Sequence, residues 1–200
     1  MTVFHFIRHA EHDLLGRELV GRRPGVHLNQ TGRERAGRIA GALADVPLEA
    51  VLSGPLERAR ETAEAIARRR GQAVVLCPAL DEVDFGEWTG RRFAELDEDR
   101  RWRHFNRYRA IAVIPGGELL LEVQARIMRL LAELGERHPA GRLALVSHGD
   151  VIRSALLHVL GMPLDFIQRL EVSPASLSTV VLDESGPRAL AVNVRFDGMD

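Results

Sequence analysis

The stretch "VFHFIRHAEH", from Val3 to His12, decides how the rest of the sequence is interpreted. Its beginning is dense in β-branched and aromatic residues, which predicts a buried strand over residues 2–7. That strand stops at an arginine and a histidine side by side, Arg8 and His9. The same dipeptide recurs at Arg103-His104 and Arg137-His138, so the first copy is notable only because of its position at the tip of a strand.

Strand and helix patterns alternate along the rest of the chain. Further strands are predicted over residues 49–52, 73–77 and 142–147, and helices over residues 29–43, 53–70, 118–138 and 150–160. Thr31 is the expected N-cap of the first helix, and Ser53 that of the second, with Pro55 in its first turn. Residues 81–90 are expected to form a loop, and residues 91–109 to be helical in part.

The end of the chain has a different pattern. Residues 177–182 and 190–194 flank the turn segment Glu184-Ser185-Gly186-Pro187, which predicts a β-hairpin. Alternating strands and helices predict an α/β fold with three layers, α/β/α, and a mostly parallel sheet. Because the hairpin adds antiparallel strands, a mixed sheet is expected. No repeat or linker divides the chain, so we expect a single domain over residues 1–200.

Composition limits the classes of function. The 200 residues are 46% hydrophobic and carry a net charge of -1, which argues against a general nucleic-acid or membrane-surface binder. No apolar run approaches the about 18 residues needed to span a bilayer, and the apolar start lacks the basic lead-in of a signal peptide. The single cysteine, Cys77, gives no disulfide framework and is expected to be buried. A cytoplasmic location is therefore expected.

Three strand-to-loop junctions carry residues suited to chemistry. The first has Arg8 and His9, the second has Ser53-Gly54-Pro55 with Arg58 just beyond, and the third has Ser147-His148-Gly149. In an open α/β sheet, ligands bind beyond the carboxyl ends of the strands. If these strands are parallel neighbours, their arginines and histidines converge on a pocket suited to a phosphate dianion, with helix N-termini nearby.

Four blocks of the sequence together resemble the histidine phosphatase superfamily, also called the phosphoglycerate mutase-like family. They stand in the family's order: "FIRHAE" (residues 6–11), "SGPLERARETA" (residues 53–63), "LDEVDFGEWTG" (residues 80–90) and "VSHGDVIR" (residues 146–153). The set spreads over about three quarters of the chain. A single Arg-His-Ala would be weak support, whereas the ordered set of four is specific.

The resemblance implies a phosphoglycerate mutase-like fold and phosphomonoester hydrolysis through a phosphohistidine, without a metal or another cofactor. It implies that His9 is the nucleophile and Glu82 the proton donor, and that Arg8, Arg58 and His148 hold the phosphoryl oxygens. The expected partner is a phosphorylated small molecule, not a nucleic acid or a membrane.

Elementary electrostatics agrees with these roles. A histidine nucleophile must be neutral, and the cationic side chains of Arg8 and Arg58 disfavour the imidazolium form of His9. Those arginines would also stabilise the transferred phosphoryl group. Glu82 must be protonated to assist the leaving alkoxide, and afterwards its carboxylate could activate water. Asp81, Asp84 and Glu87 crowd the same loop and remain alternatives for the acid.

The chain also departs from the family pattern. Ala10 replaces a usual glycine, Leu15 stands where the family commonly has a phosphate-binding asparagine, and His12 stands where serine or threonine is usual. Arg22 or Arg23, on the next loop, could compensate for the missing donor. We therefore regard Arg22 and Gly149 as candidate substrate-binding residues, and segments 24–29 and 100–115 as candidates for setting specificity.

Other interpretations remain open from the sequence. His5, His9 and His12 suggest a metal site, although the first two would be roughly 13 Å apart along a strand. The stretch "RRWRHFNRYR" (residues 100–109) is typical of a platform for single-stranded nucleic acid, or of a cover over the pocket. Phosphoglycerate mutase and a non-catalytic phospho-ligand binder are alternative functions. The terminal hairpin offers an edge at which a homodimer could form.

Overall fold

The computed structural model describes residues 1–196, so the last four residues of the expected domain, 197–200, lie outside it. Its strands are β1 (Thr2–Arg8), β2 (Ala50–Ser53), β3 (Val74–Leu76), β4 (Arg142–Ser147), β5 (Leu177–Asp183) and β6 (Gly186–Val194). Its α-helices are α1 (Gln30–Ala42), α2 (Glu57–Arg69), α3 (Phe93–Leu96), α4 (Arg100–Arg107), α5 (Leu120–Arg137) and α6 (Gly149–Val159). Short 3₁₀ helices lie at Pro78–Leu80, Gly86–Trp88 and Leu164–Arg169.

The strands form one mixed sheet in the order β3-β2-β4-β1-β5-β6. Strands β1 and β2 both pair in parallel with β4, and β3 pairs in parallel with β2. Strands β5 and β6 form an antiparallel hairpin, and β5 lies antiparallel to β1. The expected mixed sheet with a C-terminal hairpin is therefore confirmed.

Alternating side chains bury both faces of the sheet. On β1, Phe4 and Phe6 belong to the apolar cluster that includes helices α5 and α6, whereas Ile7 belongs to the cluster with α1 and α2. Strand β4 repeats this pattern, with Leu143 and Leu145 on the first face and Ala144 and Val146 on the second. Helices cover both faces, which confirms the three-layer α/β/α architecture.

The basic and aromatic stretch over residues 100–109 forms helix α4 and the turn after it. Trp102 and Phe105 are buried, and the ring of Trp102 meets that of Trp88 edge to face at 5.3 Å. These two aromatic side chains belong to the core, whereas Tyr108, in the turn after the helix, is 48% exposed.

Two helix starts differ from the prediction. Helix α1 is capped by Asn29, whose side chain accepts from the Gly32 N–H at 2.8 Å, and not by Thr31. Helix α2 begins at Glu57, because β2 runs through Ser53 and the Ser53 hydroxyl donates to the Gly54 carbonyl.

Cys77 is only partly buried, although it packs against the core. Among residues 1–196, no helix is both long enough and apolar enough to cross a membrane.

Candidate active site

The three junctions named from the sequence meet at one edge of the sheet. Strand β4 lies between β1 and β2, and Arg8 is paired with Ser147 while Ser53 is paired with Val146. The three strands therefore end at the same level. His9, Arg58 and His148 follow these ends and are all buried.

The imidazole of His9 is held in one tautomer. Its Nδ1 lies 2.8 Å from the carbonyl oxygen of Ala10, which can only accept, so Nδ1 carries the proton. Burial, together with the charges of Arg58 and Arg8, holds the pKa of His9 well below its usual value. The ring is therefore neutral at pH 7, and its Nε2 keeps a free lone pair.

Arg58 and His148 form a second pair beside His9. The Arg58 Nη2 donates to the Gly21 carbonyl at 2.7 Å and to Nδ1 of His148 at 3.3 Å. Because a guanidinium only donates, His148 carries its proton on Nε2, and burial holds its pKa well below the usual value. The His148 ring lies 5.1 Å from that of His9. Among residues 1–196, Arg58 Nε, Arg58 Nη1 and His148 Nε2 are buried without a hydrogen-bond partner.

Arg8 completes the cluster of donors. Its Nη1 donates to the Val172 carbonyl at 2.7 Å, while its Nε is buried with no partner among the described residues. A Cβ at Gly149 would lie 3.3 Å from the guanidinium carbon of Arg8, so glycine leaves room for this arginine beside the start of α6. Buried N–H donors of this kind are suited to the oxygens of a phosphoryl group.

Glu82 lines the same cleft and has an unusual acidity. Burial raises the pKa of its carboxyl group to about 7; Asp150 adds to the rise, and Arg58 and Arg8 oppose it. One carboxyl oxygen accepts from the Val83 N–H at 2.9 Å, and the other lies 3.6 Å from Nδ1 of His148, which is too long for a hydrogen bond. Since His148 is neutral, this pair is not an ion pair.

The other carboxylates of the loop face elsewhere. Asp81 and Asp84 lie within 3.7 Å of the Arg22 guanidinium, and Glu87 lies 3.6 Å from Arg101. Glu82 is the member of this group that lines the cleft. Its position therefore fits the role of the acid, while the other three are engaged with arginines.

The cleft has two adjoining parts. The first, of about 400 Å³, is lined by His9, His12, Leu15 and Glu82, among others. The second, of about 470 Å³, shares Arg8, Leu19, Glu82, Phe93 and Arg153 with the first and extends over Trp102, Asn106, Arg109, Asp150 and Gln168. Segment 100–115 thus contributes to the cleft as expected for a specificity segment, whereas residues 24–29 line neither part.

Asp150 organises a group of residues that sequence reasoning did not identify. It accepts from Arg109 Nη1 and from Arg153 Nη1, both at 3.0 Å. The spacing of three between Asp150 and Arg153 on one helix was a usable signal. Arg109 is 41 residues away from Asp150, so nothing in the local pattern indicated that they meet.

Arg22 is bound away from the donor cluster. Its Nε donates to the Glu82 carbonyl at 2.7 Å, and its Nη2 donates to the Glu118 carboxylate at 2.8 Å. The guanidinium thereby fixes the segment that carries Glu82. Substrate binding by Arg22 and by Gly149 stays a prediction.

The three N-terminal histidines do not form a metal site. His5 Nδ1 is hydrogen-bonded to the Thr179 hydroxyl at 3.1 Å, while His9 and His12 line the cleft. Within the described part of the chain, no group of three or more His, Cys, Asp or Glu side chains could hold a metal ion.

Comparisons with known proteins show which family the chain belongs to. The model of the histidine phosphatase superfamily (branch 1) matches residues 4–195. The chain is 29% identical over 187 residues to the probable phosphoglycerate mutase GpmB of Escherichia fergusonii, covering 92% of this chain and 87% of that protein.

Two solved structures of phosphatases are similar over nearly their whole length. The alpha-ribazole phosphatase of Shigella flexneri superposes with a TM-score of 0.86 at 26% identity, covering 99% of each chain. The mycobacterial glucosyl-3-phosphoglycerate phosphatase gives a TM-score of 0.86 at 26% identity, covering 96% of this chain and 98% of that one. The fold is therefore phosphoglycerate mutase-like, and the chain belongs to the histidine phosphatase superfamily.

Proposed function

We propose that this protein is a metal-independent phosphatase that hydrolyses a phosphomonoester through a phosphohistidine at His9. One observation carries the proposal. The bond from His9 Nδ1 to the Ala10 carbonyl leaves the Nε2 lone pair free, beside buried donors of Arg58 and His148 that lack protein partners. A nucleophile thus lies beside phosphoryl-binding donors, and His9 and Arg8 both line the cleft.

In the first step, the lone pair of His9 Nε2 attacks phosphorus. The phosphorus–oxygen ester bond breaks, its electron pair leaves with the ester oxygen, and that oxygen takes a proton from Glu82. Arg8, Arg58 and His148 hold the remaining phosphoryl oxygens. The alcohol then leaves with its proton.

In the second step, the Glu82 carboxylate takes a proton from water as the water oxygen attacks phosphorus. The phosphorus–nitrogen bond breaks and its electron pair returns to Nε2 of His9. Inorganic phosphate leaves, and Glu82 is protonated again. A carboxyl group with a pKa of about 7 suits both steps, because it exchanges a proton readily at neutral pH.

The second part of the cleft supports a phosphorylated small molecule as the substrate. It adjoins the donor cluster through Arg8 and Glu82, so it is placed to receive the leaving group of a phosphorylated small molecule. Its lining combines Trp102 and Phe93 with the amides of Asn106 and Gln168. A cytoplasmic location, the absence of nucleic-acid or membrane partners, and a homodimer remain predictions.

Phosphoglycerate mutase activity is the second candidate, because the relative from Escherichia fergusonii carries that name. A mutase must keep the phosphoryl group from water and return it to another oxygen of the substrate. The phosphatase names of the two similar structures favour hydrolysis. A non-catalytic binder would have no need of both His9 and Glu82 in the cleft.

One assay separates these functions. The protein is incubated with p-nitrophenyl phosphate in the presence of EDTA, alongside the His9→Ala variant. We expect turnover that resists the chelator and is lost in the variant. Phosphate binding without turnover would indicate the binder, and interconversion of 3- and 2-phosphoglycerate would indicate the mutase.

A further inference from the structure

His12 lies in the wall of the cleft and has no role in the proposed reaction. A turn at residues 12–15 is closed by the Leu15 N–H, which donates to the His12 carbonyl at 3.2 Å. The His12 side chain lines the first part of the cleft and is only 3% exposed. Its Nδ1 is buried without a hydrogen-bond partner among residues 1–196. Buried polar groups are rarely left unpaired, so this atom is available to a molecule bound in the cleft.

The surroundings of His12 are those of an anion site. Its ring centroid lies 5.5 Å from that of His9. Burial and the charges of Arg58 and Arg8 lower the pKa of His12 to about 4, and Asp13 opposes this shift. The imidazole is therefore neutral at pH 7 and carries one N–H as a donor.

Two neighbouring side chains that could have supplied a donor do not. Leu15 lines the same part of the cleft and is apolar. Arg22 is engaged with the Glu118 carboxylate and the Glu82 carbonyl. His12 thus offers a polar group in the cleft beside His9, within the field of Arg58 and Arg8.

We propose that His12 binds the phosphoryl group directly, donating a ring N–H to one of its oxygens on the side that Leu15 leaves apolar. The inference rests on the proposed function, since it concerns the same phosphoryl group. It adds His12 to the phosphate-binding residues that the resemblance implied. It also accounts for a buried histidine at the cleft wall.

Calorimetric titration with inorganic phosphate tests the proposal. His12→Leu fills most of the volume of the ring without a donor, while His12→Asn and His12→Gln place an amide near Nδ1 and Nε2 respectively. We expect His12→Leu to weaken phosphate binding about 10- to 100-fold, the usual range for a hydrogen bond to a charged group. One of the amide variants should recover part of that loss.

His5→Leu is the matched control. His5 is also a buried histidine, but it is bonded to Thr179 and does not line the cleft. Its loss should lower stability and leave the phosphate affinity unchanged. Should His12→Leu fail to fold, His12→Ala serves as the donor-free variant.

Measuring His12→Leu in the His9→Ala protein as well distinguishes direct phosphate binding by His12 from a merely structural role. If His12 acted only by packing against the His9 ring, His12→Leu would have no effect on phosphate binding in a His9→Ala protein. Direct contact predicts the same fold-loss in both backgrounds, apart from a small coupling term. An unchanged affinity in the His9→Ala background would overturn the proposal.

The outcome also separates this inference from the proposed function. A wild-type protein that neither binds phosphate nor turns over p-nitrophenyl phosphate refutes the proposed function. A wild-type protein that does both, with His12→Leu retaining full phosphate affinity, refutes only the role of His12.

Discussion

At neutral pH the carboxyl group of Glu82 is divided between its protonated and ionised forms, because burial raises its pKa to about 7. The first chemical step needs the protonated form. We therefore expect kcat/KM to fall as the pH rises through about 7. This descending limb reports the acid of the free enzyme.

The Glu82→Gln variant tests this assignment. An amide cannot give up a proton, so we expect kcat/KM for an alkyl phosphate to fall about 10²- to 10⁴-fold and the limb near pH 7 to disappear. The loss should be smaller for p-nitrophenyl phosphate, whose leaving group needs less protonation. Steady-state rates measured from pH 5 to 9 on both substrates provide the comparison.

Glu87→Gln is the control for that experiment. Glu87 lies on the same loop, but its side chain is 63% exposed and its partner Arg101 is 3.6 Å away. Its rates should match those of the wild type. Equal losses for the two substrates in Glu82→Gln would contradict a role as proton donor.

Single residues could be predicted from the sequence where a strand end fixes them. Arg8, His9 and His148 follow strands whose parallel order places their ends together. The partners of Arg22 could not be predicted, because Glu118 is 96 residues away and no local pattern joins them. Long-range pairing of charges depends on the folded positions of loops.

The junction between β2 and α2 controls the segment that carries Glu82. A Cβ at Gly54 would lie 2.8 Å from the carbonyl oxygen of Leu80, a contact with backbone that a side chain cannot relieve. We expect Gly54→Ala to displace residues 80–82, to lower kcat/KM by about 10²-fold and to destabilise the fold by about 1–3 kcal/mol. Enzyme kinetics and urea unfolding give the two quantities.

Gly37→Ala is the matched control on helix α1. Nothing lies within 4 Å of a Cβ at that position. An alanine in an exposed helical site should stabilise the fold by about 0.5–1 kcal/mol and leave the rates unchanged. A Gly54→Ala protein with normal activity would show that the contact with Leu80 does not position Glu82.

Elements with strong periodicity were predicted well, and their boundaries less well. The continuous apolar runs of β1 and β4 and the helical spacing in α5 arise from burial, which the sequence records directly. The start of α2 was placed at Ser53, but the extended pairing of β2 with β4 takes that residue. The local sequence allows Ser53 either to extend the strand or to cap the helix, and the pairing of β2 with β4 decides for the strand.

For the whole molecule, the buried histidines couple stability to pH. The folded chain holds His9, His148 and His12 with pKa values below the usual one near 6.5, to about 4 for His12. As the pH falls below about 6.5, the unfolded chain binds protons that the folded chain does not, so the free energy of unfolding falls. For His12 this loss continues through about pH 4, where the folded chain also takes up the proton.

Glu82 has the opposite effect on the free energy of unfolding. Between pH 4.5, its ordinary pKa, and about pH 7, the folded chain keeps a proton that the unfolded chain loses, so a falling pH stabilises the fold. His5, whose pKa burial also lowers, joins these three histidines, and Asp81, whose pKa burial raises, acts with Glu82. Four histidines outweigh two carboxyl groups, so we expect a net loss of stability from pH 7 to pH 5. Urea unfolding at the two pH values measures it. His12→Leu should reduce the difference, and an unchanged slope in that variant would contradict the shift at His12.

The central claim is that His9 carries the phosphoryl group between two chemical steps. The most direct measurement is a rapid alkaline quench of the protein during turnover, followed by mass spectrometry of its peptides. We predict one phosphoryl group on the imidazole of His9, at Nε2, and none in the His9→Ala variant. A protein that turns over substrate with no phosphorylated His9, or with the label on another residue, would contradict the account.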